Sequence, residues 1–315
     1  MVYDILYKLY FTIKRLMRKN FFNKCKLIKL ITDTIQDIFN SKLPFYYEKN
    51  KKKIFIKRKK GDAKIIASLT TYPKRIDTVW ITINSIINQS LQPDSVILWL
   101  AEEQFPNKYE DLPSNLLQLQ NRGLKIKFCD DLKSHKKYYY TLQEYTKELV
   151  VLFDDDMFYP RDTIEILYKL YRNNPSDICA ITTQLITPTV YTNPSNWKNP
   201  DVNQIIEHCN KVQLFSGSGT LLKANMLDKK VFDKEAIKNI CPYADDLWLT
   251  FMARKIGTKI TSLSKWRSFP ITIYDTNEES LWYINSEQGE NDKQWMNLIR
   301  EYPEVFERWE REYDK

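Results

Sequence analysis

Between Lys64 and about Gly257 the chain alternates two hydrophobic rhythms. Four short segments read as strands: Ile65-Ile66-Ala67-Ser68-Leu69, Ser95-Val96-Ile97-Leu98-Trp99-Leu100, Leu124 to Phe128, and Leu149-Val150-Val151-Leu152-Phe153, the last with the length and composition of a strand buried on both faces. Between them, Val79, Ile83 and Ile86/Ile87 form a stripe at helical spacing. Tyr138 to Lys147 and Thr163 to Arg172 read as further helices, the second stopped before Pro175. Asp162-Thr163-Ile164-Glu165 has the spacing of a capping box, with Asp in place of Ser or Thr. Strands alternating with helices predict crossover connections, hence an α/β domain with a mostly parallel sheet flanked by helices. The second half is less regular. Val212 to Phe215 leads into Ser216-Gly217-Ser218-Gly219, and Asp245-Asp246-Leu247-Trp248-Leu249-Thr250 opens a helix running to about Gly257.

The first sixty residues follow a different pattern. Leu6, Leu9, Tyr10, Ile13 and Met17 share one helical face, with Lys8, Arg15, Arg18 and Lys19 on much of the other. Leu27, Ile31, Ile35 and Ile38 repeat the stripe, and Lys49 to Lys60 reads as a lysine-rich linker. Charge sharpens the division. The net charge is +8, but residues 1–60 hold 17 Lys/Arg against 4 Asp/Glu, and residues 61–315 hold 31 against 36. The expected organisation is a basic amphipathic helical extension (1–60) and a mildly acidic domain (61–315). Such helices either lie in an anionic membrane interface or dock on the domain. The charge density favours the membrane, at its cytoplasmic inner face.

Nothing in the extension resembles a cleaved signal peptide, and no run approaches the roughly 18 apolar residues of a membrane span. The five cysteines lack paired spacing, and with only His135 and His208 available a zinc site is not expected. Scattered thiols suit a reducing cytoplasm. No nucleic-acid-binding motif accompanies the basic charge, so no nucleic acid is expected as a partner.

The candidate chemistry lies at two acidic clusters. Asp154-Asp155-Asp156 directly follows a buried-strand run, and ligands of open α/β sheets collect beyond the carboxyl ends of such strands. Three adjacent carboxylates exceed what a helix cap requires and call for a counter-charge. A magnesium or manganese ion shared with a phosphorylated ligand suits these hard oxygen donors. Asp245-Asp246, after Tyr243-Ala244, is the second cluster; one acid suffices for a helix start, leaving the other for chemistry.

Taken in order, five segments resemble the nucleotide-sugar glycosyltransferases of GT-A fold, especially family-2-like bacterial enzymes of capsule and lipopolysaccharide synthesis. They are Ala67-Ser68-Leu69-Thr70-Thr71-Tyr72-Pro73-Lys74-Arg75, Asp131 with Lys136-Lys137-Tyr138, Asp154-Asp155-Asp156-Met157-Phe158-Tyr159-Pro160, Gly217-Ser218-Gly219-Thr220, and Ala244-Asp245-Asp246-Leu247-Trp248-Leu249. The resemblance covers roughly residues 63–295. It implies a Rossmann-like GT-A domain and a donor site formed by Thr70, Tyr72, Arg75, Asp131, Lys137, Asp154 and Asp155. Asp154 and Asp156 would hold the Mn2+ or Mg2+. Gly217, Ser218, Gly219, Trp248, Asn291 and Asp292 would meet substrate, with Asp246 as base and Asp245 orienting or binding the acceptor.

The implied reaction is inverting transfer from a nucleotide-diphosphate sugar, UDP-sugar foremost, to a hydroxyl of a glycan or lipid-linked glycan. One departure is the lack of a histidine after His208, where many such enzymes place a metal ligand; Asn285, Asn291 and Asp292 occupy about that region. Two alternatives remain. A nucleotidyltransferase on a related scaffold would usually show a glycine in its first loop, whereas Thr70 to Arg75 has none. A non-catalytic sugar-nucleotide-binding protein would not need both acidic clusters.

Overall fold

The four expected strands pair side by side in an eight-stranded sheet. In the computed structural model, which describes residues 61–200, 205–263, 269–273, 285, 288–313 and isolated helical positions between 12 and 42, β1 (Ile65–Thr70) lies between β2 (Ser95–Ala101) and β4 (Leu149–Leu152). β3 (Leu124–Cys129) flanks β2. These four are parallel, with registers Ala67↔Val96, Ala67↔Val151 and Leu98↔Ile126. Beyond β4 the order continues through β10 (Thr220–Leu222), β6 (Ile178–Ala180), β11 (Ile260–Leu263) and β8 (Ile205–Cys209). Only β10 and β8 run against the rest. Two small antiparallel ribbons stand apart: β5 (Met157–Phe158) with β12 (Ile271–Thr272), and β7 (Thr183–Leu185) with β9 (Val212–Leu214).

Alternate residues of each central strand enter opposite layers of core, which is why β1, β2 and β4 are mostly apolar, whereas β3 at the sheet edge alternates with Lys125 and Lys127. Ile65, Ala67, Leu69, Val96 and Leu98 pack with α1 (Val79–Ile87), α2 (Ser114–Gln118) and α4 (Thr163–Asn173). Ile66, Ile97, Trp99, Val150 and Leu152 face the other layer. That layer contains α3 (Lys136–Glu144), α5 (Lys234–Ile240), α6 (Asp245–Lys255), α7 (Glu290–Glu301) and α8 (Pro303–Tyr313). A buried polar chain ties α3 to the strands: Trp99 Nε1 donates to Thr141 Oγ1 at 2.7 Å, Thr141 meets Ser68 Oγ at 2.7 Å, and Ser68 Oγ donates to the Lys137 carbonyl at 2.6 Å.

The α/β expectation and the four strand positions hold, with ends shifted by one residue at most. The expected helix from Tyr138 to Lys147 instead begins at Lys136 and stops at Glu144, where the chain turns back to enter β4. The capping box at Asp162 does not form: Asp162 makes no capping bond. Glu165 instead accepts from Ser90 Oγ at 2.8 Å and pairs with Lys169, so a tertiary partner outcompetes the local cap. The four described cysteines are free. Most of the extension, with Trp266 and Trp282, lies outside the described residues; Ile31 and Ile38 of its second stripe are helical and exposed. No helix among the described residues is long and apolar enough to cross a membrane.

Trp295 of α7 anchors the second layer. Its buried ring meets Trp197 and Phe306 edge-on, at centroid distances of 4.9 and 5.1 Å, and its Nε1 donates to the Val190 carbonyl at 2.9 Å. Trp295→Ala is therefore expected to cost about 3–5 kcal/mol, as large aromatic truncations in cores do. Urea unfolding should show a lower midpoint with an unchanged slope.

Candidate active site

Strand direction assembles the site. β1 and β4 are parallel neighbours and end at the same edge of the sheet, whereas antiparallel β10 begins there. The loop after β1, the acids after β4 and the Ser216–Gly219 segment before β10 therefore converge. α3 and α6 start at the same edge, placing Lys137 and Asp245-Asp246 in their first turns. Together these elements line a cleft of about 1070 Å³.

Asp155 is held on all sides. Thr71 Oγ1 donates to its Oδ2 at 2.5 Å, Arg75 Nη1 binds its Oδ1 at 2.6 Å, and Thr82 Oγ1 reaches its carbonyl at 2.8 Å. Arg75 also pairs with Asp156 Oδ2 at 3.0 Å through Nη2. Burial opposes the guanidinium charge, but the two carboxylates outweigh it and hold the Arg75 pKa above its ordinary value. Arg75 and Asp155, expected to face the nucleotide, are paired with each other and line the cleft.

Lys137 joins the two acidic clusters. Its Nζ lies 2.7 Å from Asp154 Oδ1 and 3.0 Å from Asp245 Oδ2, and its side chain is only 3% exposed. Burial works against the ammonium, yet Asp154, Asp245 and Asp246 together raise its pKa. Asp245 moves the other way: burial is overcome by Lys137 foremost, and its pKa is lowered. Ser216 Oγ also donates to Asp245 Oδ2 at 2.7 Å. With both neighbours engaged, Lys137 serves as the internal counter-ion of the clusters instead of a free phosphate ligand.

Gly217 completes the floor. A Cβ placed there would stand 1.7 Å from Asp154 Oδ2, so only glycine permits this close approach. Tyr159, the tyrosine of the Tyr-Pro continuation, is fully buried; its hydroxyl accepts from Asp154 N at 2.8 Å and donates to the Gly217 carbonyl. The residue therefore anchors the strand exit to the glycine loop, a role its sequence position alone did not disclose.

Two carboxylates are left under-compensated. Burial pushes Asp156 up to about 7 against the opposing pull of Arg75. Burial, then Asp245, pushes Asp246 up to about 7 against the pull of Lys137. The only hydrogen bond to the Asp246 side chain among the described residues comes from Ser216 N, at 2.7 Å. Among the described residues, the five carboxylates at positions 154, 155, 156, 245 and 246 thus share two directly paired cations, Arg75 and Lys137. That imbalance fits a hard divalent cation at Asp156 and the 40%-exposed Asp154. Among the described residues no three His, Cys, Asp or Glu side chains converge as a metal site. Asp154 and Asp156 would supply two carboxylates, with phosphate and water adding to the shell, as in magnesium sites.

Thr70, Tyr72, Asp131, Ser218, Asn291 and Asp292 also line the cleft. Asp131 is bound by Lys136 and by Lys133 N, so it braces the rim. Asp292 spends both oxygens on Ser195, at 2.9 Å to its N–H and 2.6 Å to its hydroxyl. Asn285 donates to the Tyr243 carbonyl at 2.9 Å and accepts from Gln294 at 3.4 Å. Neither replaces the missing histidine in this arrangement. Two expected substrate residues lie elsewhere: Trp248 is wholly buried in the core, donating to Val231 O, and Gly219 packs against Thr163 and Ile181. Gln184, Gln213, Phe215 and Tyr243 line the cleft without having stood out in the sequence. They sit in short strands and loops with no motif to mark them.

Lys137→Met removes the shared counter-ion while keeping the volume of the side chain. Breaking a buried ion pair from one side costs about 3–5 kcal/mol, and that loss is expected here at pH 7. The sign with pH follows from Asp245. Its lowered pKa contributes stability above its unfolded value of 3.8, lost as pH falls through the folded value. The gap between variant and native protein should therefore narrow in denaturant titrations near pH 4, where the unpaired acids take up protons.

No family model matches the chain, and no curated protein matches it. Among solved structures it is similar to S. aureus TarS 1-349, with 12% identity, coverage of 76% of this chain and 71% of that one, and a TM-score of 0.46. It is similar to the mannosyltransferase PcManGT from Pyrobaculum calidifontis, in complex with GDP-Man and Mn2+, at 12% identity, 73% and 64% coverage, and a TM-score of 0.39. A third likeness is to GalNAc-T7 with UDP, GalNAc and Mn2+, at 11% identity, 80% and 50% coverage, and a TM-score of 0.47.

Proposed function

We propose that the protein is a metal-dependent, inverting glycosyltransferase of GT-A type, moving a sugar from a nucleotide-diphosphate donor, UDP-sugar foremost, to a hydroxyl of a glycan or lipid-linked glycan. The observation that carries this reading is the excess of five carboxylates over two paired cations at the carboxyl edge of the parallel sheet. Such an edge needs a cation, and a cation there needs a phosphorylated ligand. When bound, Mn2+ or Mg2+ would supply Lewis-acid stabilisation of charge on the departing diphosphate.

The chain's own residues divide the remaining work. Asp154 and Asp156 hold the cation, while Thr70 and Tyr72 line the donor side. Asp246 accepts the proton of the incoming hydroxyl, since Asp245 is consumed by Lys137 and Ser216. The Ser216 N–H fixes one Asp246 oxygen and leaves the other for the acceptor. A base on a separate arm from the cation-binding acids supports attack from the face opposite the leaving group, hence inversion. We also propose that the basic first sixty residues hold the enzyme on the cytoplasmic face of an anionic membrane, in bacterial surface polysaccharide synthesis. The exposed Ile31 and Ile38 support that reading.

With Mn2+ present, one of the nucleoside diphosphates UDP, GDP, CDP and ADP is expected to raise Tm, and EDTA to cancel the rise. Ligand at a hundredfold excess over Kd contributes about 2.7 kcal/mol. A Tm unmoved by all four with Mn2+ would sink the proposal.

Asp246→Asn should keep that thermal protection and lose about a hundred- to ten-thousandfold in kcat for sugar transfer. In the unaltered enzyme the base is active only when ionised, so kcat/KM should fall as pH drops through about 7, the value to which burial and Asp245 raise Asp246. An Asp246→Asn enzyme with native turnover would assign the base elsewhere.

A further inference from the structure

Among the described residues, one wall of the cleft is lined by uncharged side chains. Gln184 of β7 and Gln213 of β9 are direct partners in the antiparallel register, and both line the cleft. Opposite residues in such a ribbon project to the same face about 5 Å apart. Phe215, two residues beyond Gln213 and so on the same side of the strand, lines the cleft as well.

Gln213 is only 3% exposed, yet among the described residues nothing hydrogen-bonds its side-chain amide. Gln184 spends one N–H on the Trp197 carbonyl at 3.3 Å and keeps its amide oxygen. The amide borders the cleft with its hydrogen-bonding capacity unspent, so it is available to a ligand there.

The chemistry of this wall is specific. Each primary amide offers two N–H donors beside a carbonyl acceptor, matching neighbouring hydroxyls that both donate and accept. Phe215 adds an apolar surface suited to the C–H face of a sugar ring. Among the described residues these three side chains carry no cation to neutralise a phosphate, and the nearby carboxylates disfavour an anion. Its location selects the acceptor: three residues after Gln213, the Ser216 N–H holds Asp246 at 2.7 Å.

We propose that Gln184, Gln213 and Phe215 form the acceptor subsite, and that it takes a neutral pyranose residue, not a phosphate-bearing group. This rests on the glycosyltransferase reading, whose base defines the acceptor side.

The test uses the full chain with Mn2+ and whichever of UDP or GDP best raises its Tm. Saturation-transfer NMR is recorded with the methyl pyranosides of glucose, galactose, mannose and N-acetylglucosamine, and with glycerol phosphate. At least one neutral glycoside is expected to bind, and glycerol phosphate not to bind. Gln213→Leu should weaken that binding by roughly tenfold, the equivalent of one lost hydrogen bond. Gln184→Leu serves as an independent second variant should Gln213→Leu fail to fold, as judged by its Tm without ligand.

Binding as tight in the folded variants as in the native protein would overturn the proposal. So would preference for glycerol phosphate. A third arm separates the two sources of sugar: UDP-glucose, UDP-GlcNAc and GDP-mannose replace the bare nucleotide. Retained glycoside binding supports an acceptor subsite, whereas displacement assigns the amides to the donor sugar and overturns it. Nucleotide protection without glycoside binding defeats this inference alone; absence of nucleotide protection defeats the glycosyltransferase reading itself.

Discussion

The Lys137 ammonium, enclosed between Asp154 and Asp245, is the interaction on which the rest of the site depends. A buried cation is tolerated only with close, well-placed carboxylates, and buried carboxylates only with a cation. One side chain therefore compels the exit of β4 and the start of α6 to stay together, although they are far apart in sequence. The helix carrying Lys137 is in turn fixed to β1 through the Ser68 hydroxyl, and behind it through Thr141 to Trp99 of β2. Strand packing is thereby transmitted to the spacing of the two acidic clusters.

Both acidic clusters divide their labour in the same way. Asp155 and Asp245 are absorbed by the scaffold, the first through Thr71 and Arg75, the second through Lys137 and Ser216. Their neighbours Asp156 and Asp246 are left with less compensation, and burial drives both pKa values upward. Adjacent identical residues thus acquire different chemistry from the direction in which the backbone aims each one. Carboxylates held partly uncompensated are poised to take a cation or a proton, which is what a glycosyl-transfer site demands of them.

The acceptor side has a different origin. It lies on the β7–β9 ribbon outside the main sheet, where polar amides border the cleft without disturbing the two apolar layers. A glycine at position 217 lets the loop leading from this ribbon pass against Asp154, and Tyr159 holds it there. On the proposed reading, substrate selection and catalytic geometry occupy neighbouring but separable pieces of backbone.

The alternation of apolar runs and helical stripes was enough to identify the α/β sheet, because strands buried on both faces are mostly apolar. The acids at 154–156 and 245–246 were legible for a related reason: a cluster of like charge at the end of a buried strand or start of a helix has few purely structural uses. What the sequence left open was the partner of each charge. Arg75 and Lys137 read as donor-site residues, and Asp292 and Trp248 as substrate contacts, whereas the fold gives the first three internal partners and buries the last. The antiparallel β10, which brings Gly217 to Asp154, and the facing Gln184 and Gln213 arise from pairings between distant segments. Local periodicity records which face of an element is buried; only tertiary contact decides which charged or polar group waits on the other side.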